Sequence, residues 1–421
     1  MLRYTTYKGW KALSLGNALV ESHIVPDLGG RLMQFSMQGY DFLFVNGALE
    51  SLYPERIEGK PWMNFGGEKV WPAPQGWSGE GYWPGPPDHI LDEGVYECKI
   101  ESDLITLISP VDIRTGLQIK RNFKVEPGEA TINISAKFTN KSDKDIRWSV
   151  WPVCQVAVDE QAEDQSQIVC PAKKDTKGDA QYKILHGLAN NPQYMCDEAG
   201  NLVVTYRYIV GKVGTDSAEG WIAYVNRGSG KVLVMNFDVA YGAEYPDNTS
   251  VQVWTQGEGA TYSRGRVNIH KSDKKVNPPY MEMEILSPVV RLAPEESYEF
   301  RYTISACTID KGSPLKAASR YGVTVSHIHT EQMSDGLHIK GEFGFFKEGI
   351  LRMVMDDETE AKNIKNRVLV EMEVTPLSPA IIDIPVNQSW DAAMGGIPLS
   401  FRLYDFKDDF LEEIEKIKIG K

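Results

Sequence analysis

Apolar and polar residues alternate in short runs along most of the chain, and turn residues separate the runs. Residues 131–138 and 297–304 show this period of two clearly, and Pro127-Gly128 and residues 228–230 interrupt the pattern. Side chains two apart in a strand lie on the same face, so such runs are typical of half-buried antiparallel strands. We therefore predict an all-β protein, a large antiparallel β-sandwich with a second, smaller β-sandwich domain.

The domain boundary is predicted where charge, glycine and proline meet after a strand-like run, at residues 310–314. A length of 421 residues suits one large domain and one small one. We assign 1–310 to the large sandwich and 315–421 to the small one. Only residues 314–321 and 406–417 have a helix-like period, and these predict two short helices.

The segment 61–93 breaks the strand rhythm and holds four of the ten tryptophans. Its prolines and glycines predict a long irregular loop, and long loops in compact domains are usually functional. Tryptophan faces can stack on the apolar face of a sugar while neighbouring polar groups bond its hydroxyls. Alternatively, the tryptophans only pack at the end of the sandwich. The candidate sugar-binding residues here are Trp62, Asn64, Glu68, Lys69, Trp71, Gln75, Trp77, Trp83 and His89.

Two glutamates, Glu282 and Glu284, alternate with Met281 and Met283. In a strand they share one face, about 7 Å apart at the backbone. Repulsion and burial can separate the pKa values of such a pair, so that one carboxylate acts as a general base. On periodicity alone, a solvated polar face of an edge strand is the alternative. Next to tryptophan walls, we expect at least one raised carboxyl pKa.

Composition excludes several classes of function. The net charge is -13, whereas a nucleic-acid-binding face is basic, so we expect no nucleic-acid partner. No apolar run is long enough to span a membrane. The sequence also lacks a glycine-rich phosphate loop and a nucleophile elbow, and we predict no cofactor.

The five cysteines, an odd number without C-x-x-C spacing, predict free buried thiols rather than disulfides or a metal site. The N-terminal residues lack the apolar stretch of a secretory signal. This favours a cytoplasmic location, or a periplasmic one if a signal has been removed.

Residues 15–32, with a Pro-x-x-Gly-Gly turn and Arg31, resemble the opening hairpin of the galactose mutarotase-like, or aldose 1-epimerase-like, superfamily. Residues 280–284, followed by 292–297, resemble the late strand that carries the catalytic glutamate in that superfamily. Residues 64–75 resemble a bacterial branch of it. The resemblance covers roughly residues 10–305.

The resemblance implies a supersandwich in which Glu282 or Glu284 is the catalytic base and Arg31 lines the site. It also implies that the strand carrying Trp151 and Gln155 contributes to the sugar cleft. One departure concerns that strand, because residues 147–155 contain no histidine where the superfamily has its acid. Simple mutarotation is therefore in doubt, while sugar binding in the same cleft is not.

The sequence thus favours a carbohydrate-active protein that performs acid–base chemistry of the epimerase, hydrolase or lyase type. Two alternatives stay open. In the first, the protein binds carbohydrate without catalysis, and the glutamates only accept hydrogen bonds from hydroxyls. In the second, the sandwich serves protein contacts through its C-terminal domain. Burial of Glu282 and Glu284 in one cleft with Trp71 or Trp77 would favour catalysis.

Overall fold

The alternating runs form antiparallel strands in the structure, a computed structural model that describes residues 2–57, 59–75, 83–159, 161–217, 219–263, 266–355, 367–386 and 398–418. The strand Leu117–Val125 shows the principle, because its side chains alternate between buried and half-buried. The same period produces two large sheets and several small ones. The predicted all-β sandwich architecture is confirmed.

The first large sheet has twelve strands and carries the candidate site. Ten of them follow one another across the sheet, while β5 pairs with β4 and β25 pairs with β11. In spatial order they are β1 (Leu2–Tyr7), β2 (Trp10–Gly16), β3 (Val20–Val25), β4 (Arg31–Met37), β6 (Glu68–Ala73), β11 (Ile146–Ala157), β24 (Tyr280–Ile285), β21 (Val251–Thr255), β18 (Gly211–Thr215) and β15 (Lys183–Gly187), with β5 (Tyr40–Asp41) and β25 (Val290–Leu292) off this path.

The second large sheet has ten strands. Side chains from its strands meet side chains of the first sheet, as Arg121 and Tyr302 meet Glu68, so the two sheets enclose a common core. In spatial order the strands are β16 (Tyr194–Cys196), β17 (Asn201–Thr205), β12 (Ser166–Pro171), β19 (Trp221–Asn226), β20 (Lys231–Phe237), β26 (Ser297–Thr308), β10 (Thr131–Asn140), β9 (Leu117–Val125), β8 (Leu104–Ile108) and β7 (Glu97–Glu101).

The chain separates into two compact units: residues 1–127, 131–228 and 233–305, and residues 128–130, 229–232 and 306–421. The second unit has two four-stranded sheets around a core that includes Ile339, Phe343, Leu351 and Phe401. One sheet is β27 (Ala317–Ala318), β28 (Gly322–Met333), β29 (Gly336–Phe345) and β32 (Ala380–Pro385), and the other is β31 (Arg367–Val374), β30 (Gly349–Met355), β33 (Pro398–Tyr404) and β34 (Phe410–Lys418).

Two short hairpins and three single-turn 3₁₀ helices complete the described elements. The hairpins are β13 (Lys173–Lys174) with β14 (Ala180–Gln181), and β22 (Gly259–Ser263) with β23 (Arg266–His270). The 3₁₀ helices are Gly47–Leu49, Glu163–Gln165 and Pro246–Asn248. No helix in the described ranges is long and apolar enough to cross a membrane. All five cysteines are free, and Cys154, Cys170 and Cys307 are buried.

The prediction of helices at 314–321 and 406–417 is wrong. The first segment contains β27, and most of the second is β34. Strand β34 pairs with β33 through two register shifts, between Phe401 and Arg402 and between Leu403 and Tyr404. A β-bulge changes which side chains share a face, so apolar residues three apart can mimic a helical period.

The prediction of irregular structure throughout 61–93 is also wrong in one part, because Glu68–Ala73 is strand β6. Pro72 has no N–H to donate, and it is tolerated where a strand lacks a partner on one side. Strand β6 pairs with β11 along its length but with β4 only at Leu32–Glu68. The site therefore begins where β4 and β6 separate.

Candidate functional site

Six neighbouring strands, β6, β11, β24, β21, β18 and β15, present one continuous face to the candidate site. In β24 the alternation sends Met281 and Met283 to one face and Glu282 and Glu284 to the other. Strand β24 lies between β11 and β21, so it is not an edge strand. The solvated-edge interpretation of these glutamates is therefore wrong.

Strand register aligns a row of five polar or aromatic residues across this face. Gln155 pairs with Glu282, Glu282 with Trp254, Trp254 with Lys212, and Lys212 with His186. Adjacent strands are about 4.8 Å apart, so the row extends about 19 Å at the backbone. The carboxylate of Glu282 thus has an amide on one side and an indole on the other.

A cleft of about 750 Å³ opens over this row. Its volume is in the range usual for small-molecule sites. Indole rings, imidazoles and one carboxylate dominate its walls, and the hairpin β22–β23 contributes Thr261, Tyr262 and Asn268. The other main lining residues are Trp62, Trp71, Gln75, Trp151, His186, Lys212, Trp254, His270, Tyr280 and Glu282.

Glu282 is the carboxylate that reaches the cleft. Its side chain is 10% exposed and therefore has limited access to water. Gln155 Nε2 donates a hydrogen bond of 2.6 Å to Glu282 Oε1, and Lys69 Nζ lies 3.8 Å from the same oxygen. These contacts fix the orientation of the carboxylate before any ligand arrives.

Glu284 lies deeper and is fully buried. Its Oε2 accepts a hydrogen bond of 2.8 Å from Trp151 Nε1 and pairs with Lys212 Nζ at 2.8 Å. Its Oε1 has no hydrogen-bond partner among the described residues. Burial, opposed by Lys212, raises the pKa of Glu284 to about 7, so this carboxyl changes its charge near neutral pH.

Lys69 is a buried cation next to Glu282. Its Nζ lies 4.8 Å from the centre of the Trp71 ring and forms no hydrogen bond with the residues that the structure describes. Burial lowers the pKa of Lys69 to about 8, although the charge of Glu282 acts in the opposite direction. Gln155 Oε1 also has no hydrogen-bond partner in the described part of the chain, so an unsatisfied donor and an unsatisfied acceptor lie next to Glu282.

Asp92 holds the aromatic wall in place. Its Oδ1 accepts hydrogen bonds of 2.9 Å from Trp71 Nε1 and from Arg31 Nη2, and its Oδ2 accepts one of 2.7 Å from Trp62 Nε1. Arg31 also donates to the backbone oxygens of Leu28, Gly66 and Asp92, and it is fully buried. Arg31 therefore orients the wall from behind rather than lining the cleft.

The side chain of Glu68 lies on the face of β6 opposite to the side chains of Lys69 and Trp71. Both of its oxygens are engaged, with Arg121 Nη2 at 2.5 Å and with the Tyr302 hydroxyl at 2.6 Å. It lies in the core between the two large sheets and does not line the cleft.

The other predicted residues of the aromatic segment lie in different places. Trp83 is fully buried against Trp71, at 5.2 Å between ring centres, and bonds Asp88. His89 Nδ1 lies 2.9 Å from Glu93 Oε2, outside the cleft lining. Asn64 accepts a bond from the backbone N–H of Gly66 in a turn. Gln75 lines the cleft, and Trp77 lies outside the described residues.

Several cleft residues were not predicted from the sequence, among them His186, Lys212, Trp254, His270 and Tyr280. His186 and His270 lie with ring centres 6.5 and 6.0 Å from that of Trp254. Burial lowers the pKa of both imidazoles, which favours their neutral forms. Only Tyr280 had a local signal, because it shares the alternation of Glu282 and Glu284. In the described part of the chain, no group of three or more His, Cys, Asp or Glu side chains is placed to hold a metal ion.

The raised pKa of Glu284 predicts a pH-dependent component of stability. Since the folded pKa of about 7 exceeds the ordinary value of 4.5, this component is complete below pH 4.5 and is lost as pH rises through about 7. Glu284→Gln has no titrating group at this position, so its free energy of unfolding should not contain this pH-dependent component. Urea unfolding measures this component. From pH 5 to pH 8 the free energy of unfolding of the wild type should fall by up to about 3 kcal/mol more than that of the variant.

The double variant Glu284→Gln with Lys212→Met serves as the control, because it also removes the Lys212 ammonium, which Glu284→Gln alone leaves without an ionised partner. Its free energy of unfolding should also lack the pH-dependent component. An equal change in unfolding free energy between the two pH values for wild type and both variants would contradict the raised pKa.

Comparison with known proteins adds a family. Residues 11–304 match the family described as "Domain of unknown function (DUF4380)". No curated protein matches the sequence of this chain.

Several solved structures resemble the chain in fold. One is a TPR-domain containing protein from Parabacteroides distasonis ATCC 8503, with 13% identity and a TM-score of 0.46; the match covers 70% of this chain but only 46% of that one. A galactose mutarotase-like protein from Lactobacillus casei ATCC 334 shows 10% identity and a TM-score of 0.46, covering 70% and 99% of the two chains. Another galactose mutarotase-like protein, from Clostridium acetobutylicum, shows 11% identity and a TM-score of 0.44; the match covers 73% of this chain and 98% of that one. Two of these three are described as galactose mutarotase-like proteins.

Proposed function

The chain belongs to the DUF4380 family, and we propose that its aromatic cleft binds a carbohydrate on which Glu282 acts as a general base. The observation that carries the proposal is the position of Glu282, a carboxylate on the floor of a cleft with indole walls. A sugar offers an apolar C–H face to indole rings and hydroxyls to a carboxylate, and this cleft has both partners.

The surroundings of Glu282 suit proton transfer. Gln155 and Lys69 hold its Oε1, which leaves Oε2 to accept a proton from a sugar hydroxyl. A positioned base of this kind contributes about 10²–10⁴-fold in rate. Lys69 Nζ lies 3.8 Å from Oε1, so once Lys69 has donated its own proton to the ligand, its neutral amine can take the proton from protonated Glu282.

Two kinds of titrating group besides Glu282 belong to the same site. Lys69 has a pKa of about 8 and no hydrogen-bond partner among the described residues. The imidazoles of His186 and His270 line the cleft beyond Trp254. Lys69 comes from β6, which supports an acid on a different strand from the one that the superfamily resemblance implies.

A second candidate function is carbohydrate binding without catalysis. The contacts of Glu282 with Gln155 and Lys69 favour it, because a carboxylate fixed in this way is also a good acceptor for sugar hydroxyls. A glycan array followed by product analysis of every bound sugar distinguishes the two functions. Catalysis predicts a changed product, and simple binding predicts an unchanged sugar.

Binding itself should change the intrinsic tryptophan fluorescence, because Trp62, Trp71, Trp151 and Trp254 all line the cleft. A sugar stacked on these rings excludes water from them and alters their environment. Titration with mono- and oligosaccharides, followed by emission spectra, measures the change. Emission that stays constant with every sugar tested would count strongly against the proposed function.

A further inference from the structure

The aromatic residues of the cleft form two groups rather than one. The first group contains Trp62, Trp71 and Trp151, with ring centres 6.2 Å apart for Trp62–Trp71 and 5.5 Å for Trp71–Trp151. The second group contains Trp254 with the imidazoles of His186 and His270. Each group combines flat rings with polar atoms at their edges, which is what a sugar ring needs.

Strand register shows that the carboxylates lie between these groups. Trp151 is four residues from Gln155 on β11, and Gln155 is two strands from Trp254 across Glu282. With about 3.4 Å per residue and about 4.8 Å between strands, the backbones of Trp151 and Trp254 are about 17 Å apart. Glu282 and Glu284 belong to β24, the strand between β11 and β21. A pyranose ring is only about 5 Å across, so a chain of linked sugars fits such a separation better than one ring does.

We propose that the substrate is an oligosaccharide that crosses Glu282 and places sugar rings on both aromatic groups. This inference rests on the proposed function and specifies its substrate class. The bond between two sugars then lies over Glu282, so the base acts at an internal position of the ligand. Chemistry at a glycosidic linkage, by hydrolysis or elimination, fits this placement better than epimerisation of a free monosaccharide.

The structure of each side supports its role as a subsite. On the first side, Asp92 binds the indole N–H groups of Trp62 and Trp71, which fixes both rings. Trp62 is half-buried, so part of its surface is available for a ligand. Fixed aromatic rings lose little conformational entropy on binding.

On the second side, Trp254 is half-buried and lies in the register row between Glu282 and Lys212. The hairpin β22–β23 closes this side with Thr261 and Asn268, which supply polar groups for hydroxyls. A volume of about 750 Å³ accommodates more than one sugar ring.

The test is a chain-length series on the intact protein. Cello-, malto- and xylo-oligosaccharides of one to five rings are titrated against the wild type by calorimetry, together with any sugar that binds on the array. We expect affinity to rise by about five-fold or more when a second aromatic group becomes occupied. The rise should stop once both groups are filled.

Two variants and one control locate the subsites. Trp62→Ala and Trp254→Ala should each weaken binding of the longest ligand by about five-fold, the effect of one stacked ring. A monosaccharide should respond to only one of the two variants. Tyr4→Ala, which removes a ring that is 80% exposed and outside the cleft, should leave every affinity unchanged.

The outcomes separate this inference from the function on which it rests. If monosaccharides bind as tightly as every oligosaccharide, or if only one variant weakens the longest ligand, the inference is wrong and the proposed function stands. If no sugar binds at all, the proposed function is contradicted and the inference falls with it.

Discussion

Glu282→Gln is expected to lower the turnover of the carbohydrate substrate by about 10²–10⁴-fold while changing its affinity far less. Glutamine keeps the shape of the side chain and its place beside Gln155, but it cannot accept a proton. Steady-state kinetics with the sugar identified by product analysis would measure the loss in kcat, and calorimetry with the same sugar would measure affinity.

The matched control is Glu258→Gln, the same change at an exposed residue that does not line the cleft. It should leave turnover and affinity unchanged. If Glu282→Gln and Glu284→Gln both turn over the substrate at the wild-type rate, the assignment of a catalytic base to this strand is wrong. The non-catalytic carbohydrate-binding function would then replace it.

The fold was largely predictable because alternation is a local property. A strand with one face buried needs apolar residues at every second position, and the runs at 131–138 and 297–304 show this in the sequence itself. The helices predicted at 314–321 and 406–417 failed for a reason that is not local. The register shifts between β33 and β34 depend on the partner strand, which the sequence of β34 alone does not contain.

The candidate site was predictable only where its residues are close in sequence. Glu282 and Glu284 share a face by simple alternation, and Trp62 and Trp71 belong to one unusual segment. Lys212, Trp254 and His186 reach the cleft through the pairing of four strands that are far apart along the chain. No spacing in the sequence shows that pairing.

Glu68 and Lys69 show the limit of a composition argument. Both are charged, adjacent and part of the aromatic segment, and both were candidates for sugar binding. Once β6 is a strand, neighbouring side chains point to opposite faces. Lys69 lies beside Glu282, whereas Glu68 enters the core between the sheets.

Glu68→Gln should therefore destabilise the protein without changing sugar affinity. Arg121, fully buried, would lose its ionised partner, and breaking a buried pair costs about 3–5 kcal/mol. Urea unfolding measures the loss, and calorimetry at a temperature where the variant is folded measures affinity. Glu244→Gln, which breaks the exposed pair with Arg147, should cost at most about 1 kcal/mol.

Removing both buried charges at once provides the decisive comparison. Glu68→Leu combined with Arg121→Met leaves no unpaired charge in the core, so this double variant should be more stable than Glu68→Gln. The Tyr302 hydroxyl still loses its acceptor in the double variant, so recovery should be partial. A folded Glu68→Gln protein with wild-type stability and lost sugar affinity would instead place Glu68 in the binding site.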